Sequence, residues 1–447
     1  MVKFGQLFLS LTILITLHEF GHFFFAKRYK CRVEKFYLFF DFLFPFAGVL
    51  NFSLFKKKIG DTVYGLGWFP FGGYVQIAGM VDEQMDKATL EKEPEPWEFR
   101  AKPAWQRMLI MMGGILVNLI LGIFIYWMVF FFWGKSTIPT DKLTYGIACD
   151  STALSMGLKD GDQVVSVNGV PLNNLNRVEI EIVMNKATEM VVKRDRQDIT
   201  IPISENNVST ILRNLKKSDF ISVRMPTEVA EVEKTSFAEA AGLKKGDLIV
   251  AVNGIPTPFY HEFRKQLVKN ASKDKDHLNS VELSVIRGID TVKLKSMVTE
   301  TGKVGFLPLA EKYYPVKEYK FGFFEALKEG LSFGAENLVM QAKQLVVIFT
   351  VKDAHKQVGG FYSMYKNMNE EWDWHAFWLF TAFLSLVLAF MNFLPIPMLD
   401  GGYILFLLIE IVSRRKVPEK VLYYANYVGL VLILGLMIYA NTDWLRE

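Results

Sequence analysis

The stretch LTILITLHEFGHFFFAKRYK, residues 11–30, sets two histidines and a glutamate inside an apolar run that is closed by a basic cluster. Ionisable side chains are costly in hydrocarbon, and a run long enough to cross a membrane excludes them unless they have a function there. Either this run is not a span, or His18, Glu19 and His22 have partners that offset their cost. The remainder of the chain discriminates between the two.

The 447 residues leave room for two or three domains. An apolar fraction of 51%, with 14% aromatic residues, fits a membrane protein that carries a sizeable water-soluble part. A net charge of +4 is small for this length and gives no argument for nucleic acid as a partner. Cys31 and Cys149 are the two cysteines, which excludes a disulfide framework and argues against a cysteine-based metal site. Four segments, approximately 4–26, 108–133, 376–393 and 421–440, are long enough to cross roughly 30 Å of hydrocarbon, which takes about 20 helical residues. The first is expected to be a retained span rather than a signal peptide, because the histidines interrupt its core and no small-residue cleavage site follows. Residues 401–412 are too short to span and are expected to complete a helix that begins at a Pro-rich turn.

Basic residues orient these spans. Lys27, Arg28, Lys30, Arg32 and Lys35 follow the first; Arg100, Lys102 and Arg107 lead into the second; Arg414, Arg415, Lys416 and Lys420 separate the third from the fourth. Both loops are therefore expected on the cytoplasmic side, with the termini and the insert of about 134–375 on the other. Cys31 and Cys149 then lie on different sides and cannot pair.

The insert contains a repeat. GLKDGDQVVSVNGVP at 157–171 recurs as GLKKGDLIVAVNGIP at 242–256, 85 residues later. Each copy follows a short helix-like stretch, STALSM or SFAEAA, and holds a strand expected to alternate (Val165, Val167; Ile249, Ala251) before an Asn-Gly turn. Both copies resemble the PDZ signature Ala-Gly-Leu-x-x-Gly-Asp-x-Ile-x-x-Val-Asn-Gly. That resemblance implies two tandem domains able to add an extended peptide to a sheet edge. The first copy shows no obvious carboxylate-binding loop, and the second has PTEVAEVE where one would fall.

Between the first two spans, KFYLFFDFLFPFAGVLNFSLFKKK (35–58) and DTVYGLGWFPFGGYVQIAGM (61–80) are rich in aromatics and glycine, with Pro45 and Pro70 breaking any helix. So much apolar surface would aggregate in water. A β element that dips into the membrane is the favoured reading, and a surface loop with hydrophobic anchors is the other. Residues 321–349 read as a long amphipathic helix, lying at the membrane interface or packed on the soluble domains.

The chemistry is carried by His18-Glu19-Phe20-Gly21-His22, which fits H-E-x-x-H. On a helix, positions i and i+4 share a face, so both imidazoles can reach one zinc, and Glu19 lies about 100° round, placed to take a proton from water. A catalytic zinc needs a third protein ligand and an open position. Asp400, in MNFLPIPMLDGG (391–402), is the best candidate: Pro395 and Pro397 end the third span, and Asp400 starts the short apolar helix near its cytoplasmic end. An N-cap role for Asp400 is compatible with this. Glu410 lacks that setting, and His261, His277, His355 and His375 fall on the far side. Asn392, eight residues before Asp400, could donate to a developing oxyanion or make a plain structural hydrogen bond.

Taken together, the H-E-F-G-H of the first span, the N-F-L-P-I-P-M-L-D-G near the third and the two PDZ-like repeats between them resemble the site-2 protease family over essentially the whole chain. Within it they resemble the regulator-of-sigma-E protease type. The resemblance implies a polytopic α-helical membrane protein with four transmembrane helices, a membrane re-entrant β element and two tandem PDZ-like α+β domains. It implies an intramembrane zinc metalloprotease with His18, His22 and Asp400 as Zn2+ ligands, Glu19 as catalytic base and Asn392 holding the substrate backbone or its oxyanion. MGGILVN (112–118) resembles the small-residue motif of the family's second core helix, with Asn118 at its polar end, and YGLGWFPFGGYV (64–75) resembles the re-entrant hairpin and edge strand that pairs with unwound substrate. Implied partners are the lipid bilayer and single-span membrane proteins, of anti-sigma factor type or signal-peptide remnants, with no nucleic acid. The implied location is the bacterial inner membrane, both termini and the PDZ domains periplasmic and the active site toward the cytoplasmic half.

The expected division is 1–30 first span, 31–102 cytoplasmic-side segment with the hairpin and edge strand, 103–134 second span, 135–222 and 223–312 the two PDZ-like domains, 313–374 amphipathic linker, 375–412 third span with the aspartate motif, and 413–447 fourth span with the C-terminal residues. Two departures from the family pattern stand out: QVGGFYSM (357–364) replaces a Ser-Gly-Pro-x-x-Ile stretch, and Gly402-Tyr403 replaces the more frequent Gly-His. A metal-binding transporter or sensor without hydrolytic activity is the alternative, which needs the ligands but no general base. A PDZ scaffold with a mere anchor is a third, opposed by ionisable residues inside the spans.

Overall fold

The computed structural model describes all residues except 1, 44–49, 81–92, 215–218, 273–277, 367 and 443–447, so Pro45 and His277 lie outside the described residues. It divides into two compact units, one of Met1–Gly134, Lys320–Leu345 and Lys356–Glu447, the other of Lys135–Tyr319 and Val346–His355.

Among the described residues of the first unit, four helices are long and apolar enough to cross a membrane: Val2–Arg28, Ala104–Phe132, Trp374–Phe393 and Glu419–Asn441. They coincide with the four segments expected from the sequence. The second is the hub, packed against both the first and the third. Its contact with the first is backbone on backbone: a Cβ added to Gly21 would stand 2.3 Å from the Gly113 carbonyl oxygen, and one added to Gly113 would stand 2.4 Å from that of Gly21. Small residues permit such approach where apolar burial gives helices no reason to associate in lipid. Polar side chains inside the bundle are satisfied across it. Thr381 donates to Ser10 (3.0 Å), Ser385 donates to the Asn118 carbonyl (2.6 Å), and Arg107 pairs with Glu410. The helix Phe323–Thr350 sets Ala326 against Ile125, Tyr126, Val129 and Phe130 of the second span, so this part of the amphipathic segment packs on a span.

The segment after the first span forms a four-stranded sheet of β1 (Val33–Phe40), β2 (Ser53–Ile59), β3 (Thr62–Gly67) and β4 (Phe69–Ile77), in the order β2-β3-β1-β4. β1 runs parallel to β3 and antiparallel to β4, and β4 is an edge strand lying along the first span. Pro70 is tolerated because it sits on that edge, where its missing N–H breaks no ladder.

In the second unit, the two repeat copies share a skeleton down to individual hydrogen bonds. In each, the repeat strand (Gln163–Val167; Leu248–Val252) pairs with the first strand of a long hairpin. That hairpin is Glu189–Arg194 with Gln197–Pro202, or Asn279–Arg287 with Asp290–Val298. The Asn-Gly turns have positive φ at both residues (Asn168 49°, Gly169 74°; Asn253 51°, Gly254 76°), the two-residue turn that suits strand twist. Arg194 makes a double hydrogen bond to Asp162, at 2.8 and 2.7 Å, and also caps the Gly157 carbonyl. Arg287 does the same to Asp247, at the same two distances, and caps Gly242. The simple alternation expected for the repeat strands is not observed: Val165 is exposed, while Val164 and Val167 are buried, as are Ile249 and Val252. A register shift between Val164 and Ser166, and between Ile249 and Ala251, inserts one residue and turns the face over.

Candidate metal centre

One helical turn separates His18 from His22, and their rings meet edge to face with Nε2 atoms 3.2 Å apart. Asp400 Oδ2 lies 3.3 Å from both Nε2 atoms. This oxygen is buried and has no hydrogen-bond partner among the described residues. A buried carboxylate oxygen without a donor is an expensive arrangement unless a cation completes it. Tetrahedral coordination at zinc distances of about 2.0–2.1 Å puts donor atoms about 3.3 Å apart, and the three separations here fit that figure. His18, His22 and Asp400 are thus a donor set of the right type, number and spacing for a zinc ion with one position left open.

The tautomers follow from the neighbours. His22 Nδ1 is 2.9 Å from the Ile110 carbonyl oxygen, which can only accept, so Nδ1 carries the proton and Nε2 keeps its lone pair. His18 Nδ1 faces the side-chain amide of Asn118 at 3.2 Å, and Asn118 Oδ1 is buried without a partner. Turning the amide over by 180° lets Oδ1 accept from Nδ1–H and frees Nε2 of His18 in the same way. Gly114 makes room for the pair: a Cβ there would stand 2.5 Å from His18 Cε1 and from His22 Nε2.

Asp400 reaches the centre because the third span stops at Leu394 and the chain turns through Pro395 and Pro397. Met398 adopts φ 81°, and the helix Asp400–Ser413 starts at the aspartate itself. The N-cap position is Leu399 and no side chain caps the helix, so an N-cap role for Asp400 is not observed. Its carboxylate is instead the first-turn group that the helix dipole favours in ionised form. Asn426 of the fourth span braces the turn, accepting from the Met398 amide (3.3 Å) and donating to the Tyr403 hydroxyl (3.2 Å).

A cavity of about 770 Å³ opens on the centre. Glu19 and Asn392 both line it, together with the three donor residues, Gly72–Val75 of β4, and Asn426. Val75 of β4 and Glu19 line the same cavity, so the edge strand runs beside the acid. His18, Glu19, His22, Asn118, Asn392 and Asp400 all line this cavity. Glu410 is engaged with Arg107 and His375 stacks on Trp133, away from it. Asn118 is indicated in the sequence only through family resemblance. Asn426 escapes sequence reasoning, since a lone asparagine in an apolar helix does not reveal which way it faces.

Comparison with known proteins agrees with this geometry. The family profile of peptidase family M50 matches residues 6–436. A Vibrio cholerae protein bearing the name of a zinc metalloprotease is 29% identical over 473 residues, covering 98% of this chain and 97% of its own. The regulator of sigma-E protease RseP of Escherichia coli is 28% identical over 465 residues, and that of Salmonella typhimurium 27% over 454, each covering 96% of both chains. With an enzyme family matched across the spans and the insert alike, the transporter and scaffold readings fall away. The chain belongs to peptidase family M50, the site-2 proteases, and is a zinc metalloprotease of that type.

Proposed function

We propose that the chain cleaves peptide bonds within membrane-spanning segments of single-span proteins, of the anti-sigma factor type or remnant signal peptides, in the inner membrane of a bacterium. The observation that carries this reading is that Glu19, a three-donor metal centre and the sheet's terminal strand among the described residues line one cavity of the helical unit. His18, His22 and Asp400 would hold zinc, which when bound supplies Lewis acidity and lowers the pKa of water to roughly 7. Glu19 takes the proton of the attacking water and delivers it to the leaving amine. Asn392 donates to the carbonyl oxygen as charge develops there.

A substrate helix has its amides bonded internally, and one that unwinds must place them elsewhere. Among the described residues no further strand pairs with β4, which lines the cavity with Glu19, so an unwound segment would gain a ladder there as it loses its helix. We read the β1–β4 sheet as the membrane re-entrant element on this basis and on its aromatic content. The two repeat copies are read as PDZ-like domains, 135–222 and 223–312. In the second, the edge strand Phe306–Pro308 and the helix Tyr260–Asn270 border a cavity of about 270 Å³ lined by Phe263, Leu267 and Val304, suited to an extended peptide. By the distribution of basic residues, these domains and both termini face the periplasm and the active site lies toward the cytoplasmic half. There the repeats would admit only substrates already trimmed of bulky ectodomains.

The test is cleavage of a single-span reporter by the purified protein, with zinc content measured in parallel. Glu19→Gln is expected to keep its zinc and lose cleavage; cleavage at the wild-type rate would sink the assignment. Deleting both repeats is expected to extend cleavage to untrimmed reporters.

A further inference from the structure

A second three-donor cluster lies in the other unit, between the two repeat copies. His261 Nε2 is 3.2 Å from Asp160 Oδ2 and 3.9 Å from Glu262 Oε1, and the three donor atoms all lie within 4.8 Å of one another. Asp160 belongs to the first copy, in GLKDGD; His261 and Glu262 open the helix Tyr260–Asn270 of the second.

Three observations separate this cluster from an ordinary surface ion pair. First, each carboxylate has one oxygen committed to backbone. Asp160 Oδ1 accepts from the Cys149 amide at 2.8 Å, and Glu262 Oε2 accepts from the Phe259 amide at 3.3 Å. The opposite oxygens are thereby turned on His261. Second, both ring nitrogens of His261 are closed off from solvent, and neither has a hydrogen-bond partner among the described residues. A protonated imidazole serving these carboxylates would point an N–H along one of the two lines; here the oxygens flank Nε2 instead. This is the signature seen at the first centre, where Asp400 Oδ2 sits 3.3 Å from two imidazole nitrogens with no hydrogen bond to either. Third, the neighbouring cation reaches Glu262 only as a long ion pair, without a hydrogen bond. The Arg224 guanidinium lies 3.6 Å over the Phe259 ring and stays 3.8 Å from Glu262 Oε1, beyond hydrogen-bond distance.

The repeat itself shows that the set is not inherited from the module. At the 85-residue offset, Asp160 corresponds to Lys245, His261 to Asn176 and Glu262 to Arg177. The donors occur once, and only where one copy faces the other.

We propose that Asp160, His261 and Glu262 form a binding site for a divalent transition-metal ion of the zinc type, which fastens the first copy's Lys159–Asp162 turn to the second copy's Tyr260 helix. One imidazole with two carboxylates favours a borderline ion over magnesium or calcium, which prefer all-oxygen shells. Partial exposure, 23–30% for the three side chains, leaves the remaining positions to water and makes the ion exchangeable. The site is distinct from the catalytic centre and does not depend on how that centre works.

The experiment is equilibrium dialysis of the full-length protein in detergent against buffered free zinc, with the metal-to-protein ratio measured. Wild type is expected to take up two zinc ions per chain, and Asp400→Asn one. His261→Gln and Asp160→Asn, which alter opposite sides of the junction, are each expected to lose one ion and to retain reporter cleavage at low zinc, which shows that they fold. In wild type, micromolar zinc is expected to slow proteolysis between the copies at least tenfold, and in neither junction variant. A ratio unchanged by both junction variants, as zinc on scattered surface carboxylates would give, overturns the proposal. So does a ratio of one in wild type that only Asp400→Asn lowers.

Discussion

Two clusters in this chain offer a metal the same kind of donors, imidazole and carboxylate, in opposite settings. At His18, His22 and Asp400 the side chains are 7–14% exposed and surrounded by helices. At Asp160, His261 and Glu262 they are 23–30% exposed on a sheet-rich unit. The first set is the tighter, its donor atoms 3.2–3.3 Å apart, whereas the second has 3.2 and 3.9 Å from its imidazole; what lies behind the donors differs as well. The first centre has an outer ring of orienting groups, the Ile110 carbonyl on His22 and the Asn118 amide on His18, and Glu19, the proposed base, lining a cavity. The second has backbone amides on its carboxylates and no orienting group on its imidazole. The same two ligand types, in the ratios two imidazoles to one carboxylate and one to two, are thus proposed to serve catalysis in one place and fastening in the other, by virtue of what surrounds them.

The sharpest way to break this comparison is to remove the base alone. Glu19→Gln should lower reporter cleavage by about 10²–10⁴-fold with zinc content unchanged, whereas no substitution in the second cluster should lower it at all. Next in size is the outer ring. Asn118→Leu keeps the volume but removes the acceptor, and zinc affinity at the first centre should fall by about 10–100-fold, read from competition with a chelator. Asn118→Asp, which restores an acceptor, should recover most of that loss. Gly114→Ala should force the histidines apart, at a cost of about 1–3 kcal/mol by the usual penalty of overpacking, visible as weaker zinc binding and a lower midpoint of thermal unfolding. The smallest effect belongs to the exposed cluster in zinc-free buffer. There Asp160→Asn removes a half-solvated contact worth at most about 1 kcal/mol, checked by denaturant unfolding.

The two centres also differ in how far the sequence reveals them. His18, Glu19 and His22 announce themselves because ionisable groups in an apolar run cost too much to be incidental, and Asp400 because prolines isolate it at a span's end. Fold-level features are legible on similar physical grounds: span lengths follow from membrane thickness, and the 85-residue repeat from its Asn-Gly turns. What is not legible depends on register or on rotation. The β-bulges in the repeat strands reverse which valines are buried without leaving a mark in the apolar pattern. Asn426 faces the Met398 turn only because the fourth span is rotated that way. His261, remote from the spans in the sequence, finds its partners across a junction that no local motif encodes.

The crossing of the first two spans at Gly21 and Gly113 gives the H-E-x-x-H pattern a different information content in this chain. The pattern leaves its third and fourth letters free. Phe20 is indeed 46% exposed and open to exchange, but the neighbouring letter is occupied by a backbone contact that no side chain can share. Four of the five positions here are specified, three by the chemistry of their side chains and one by having none.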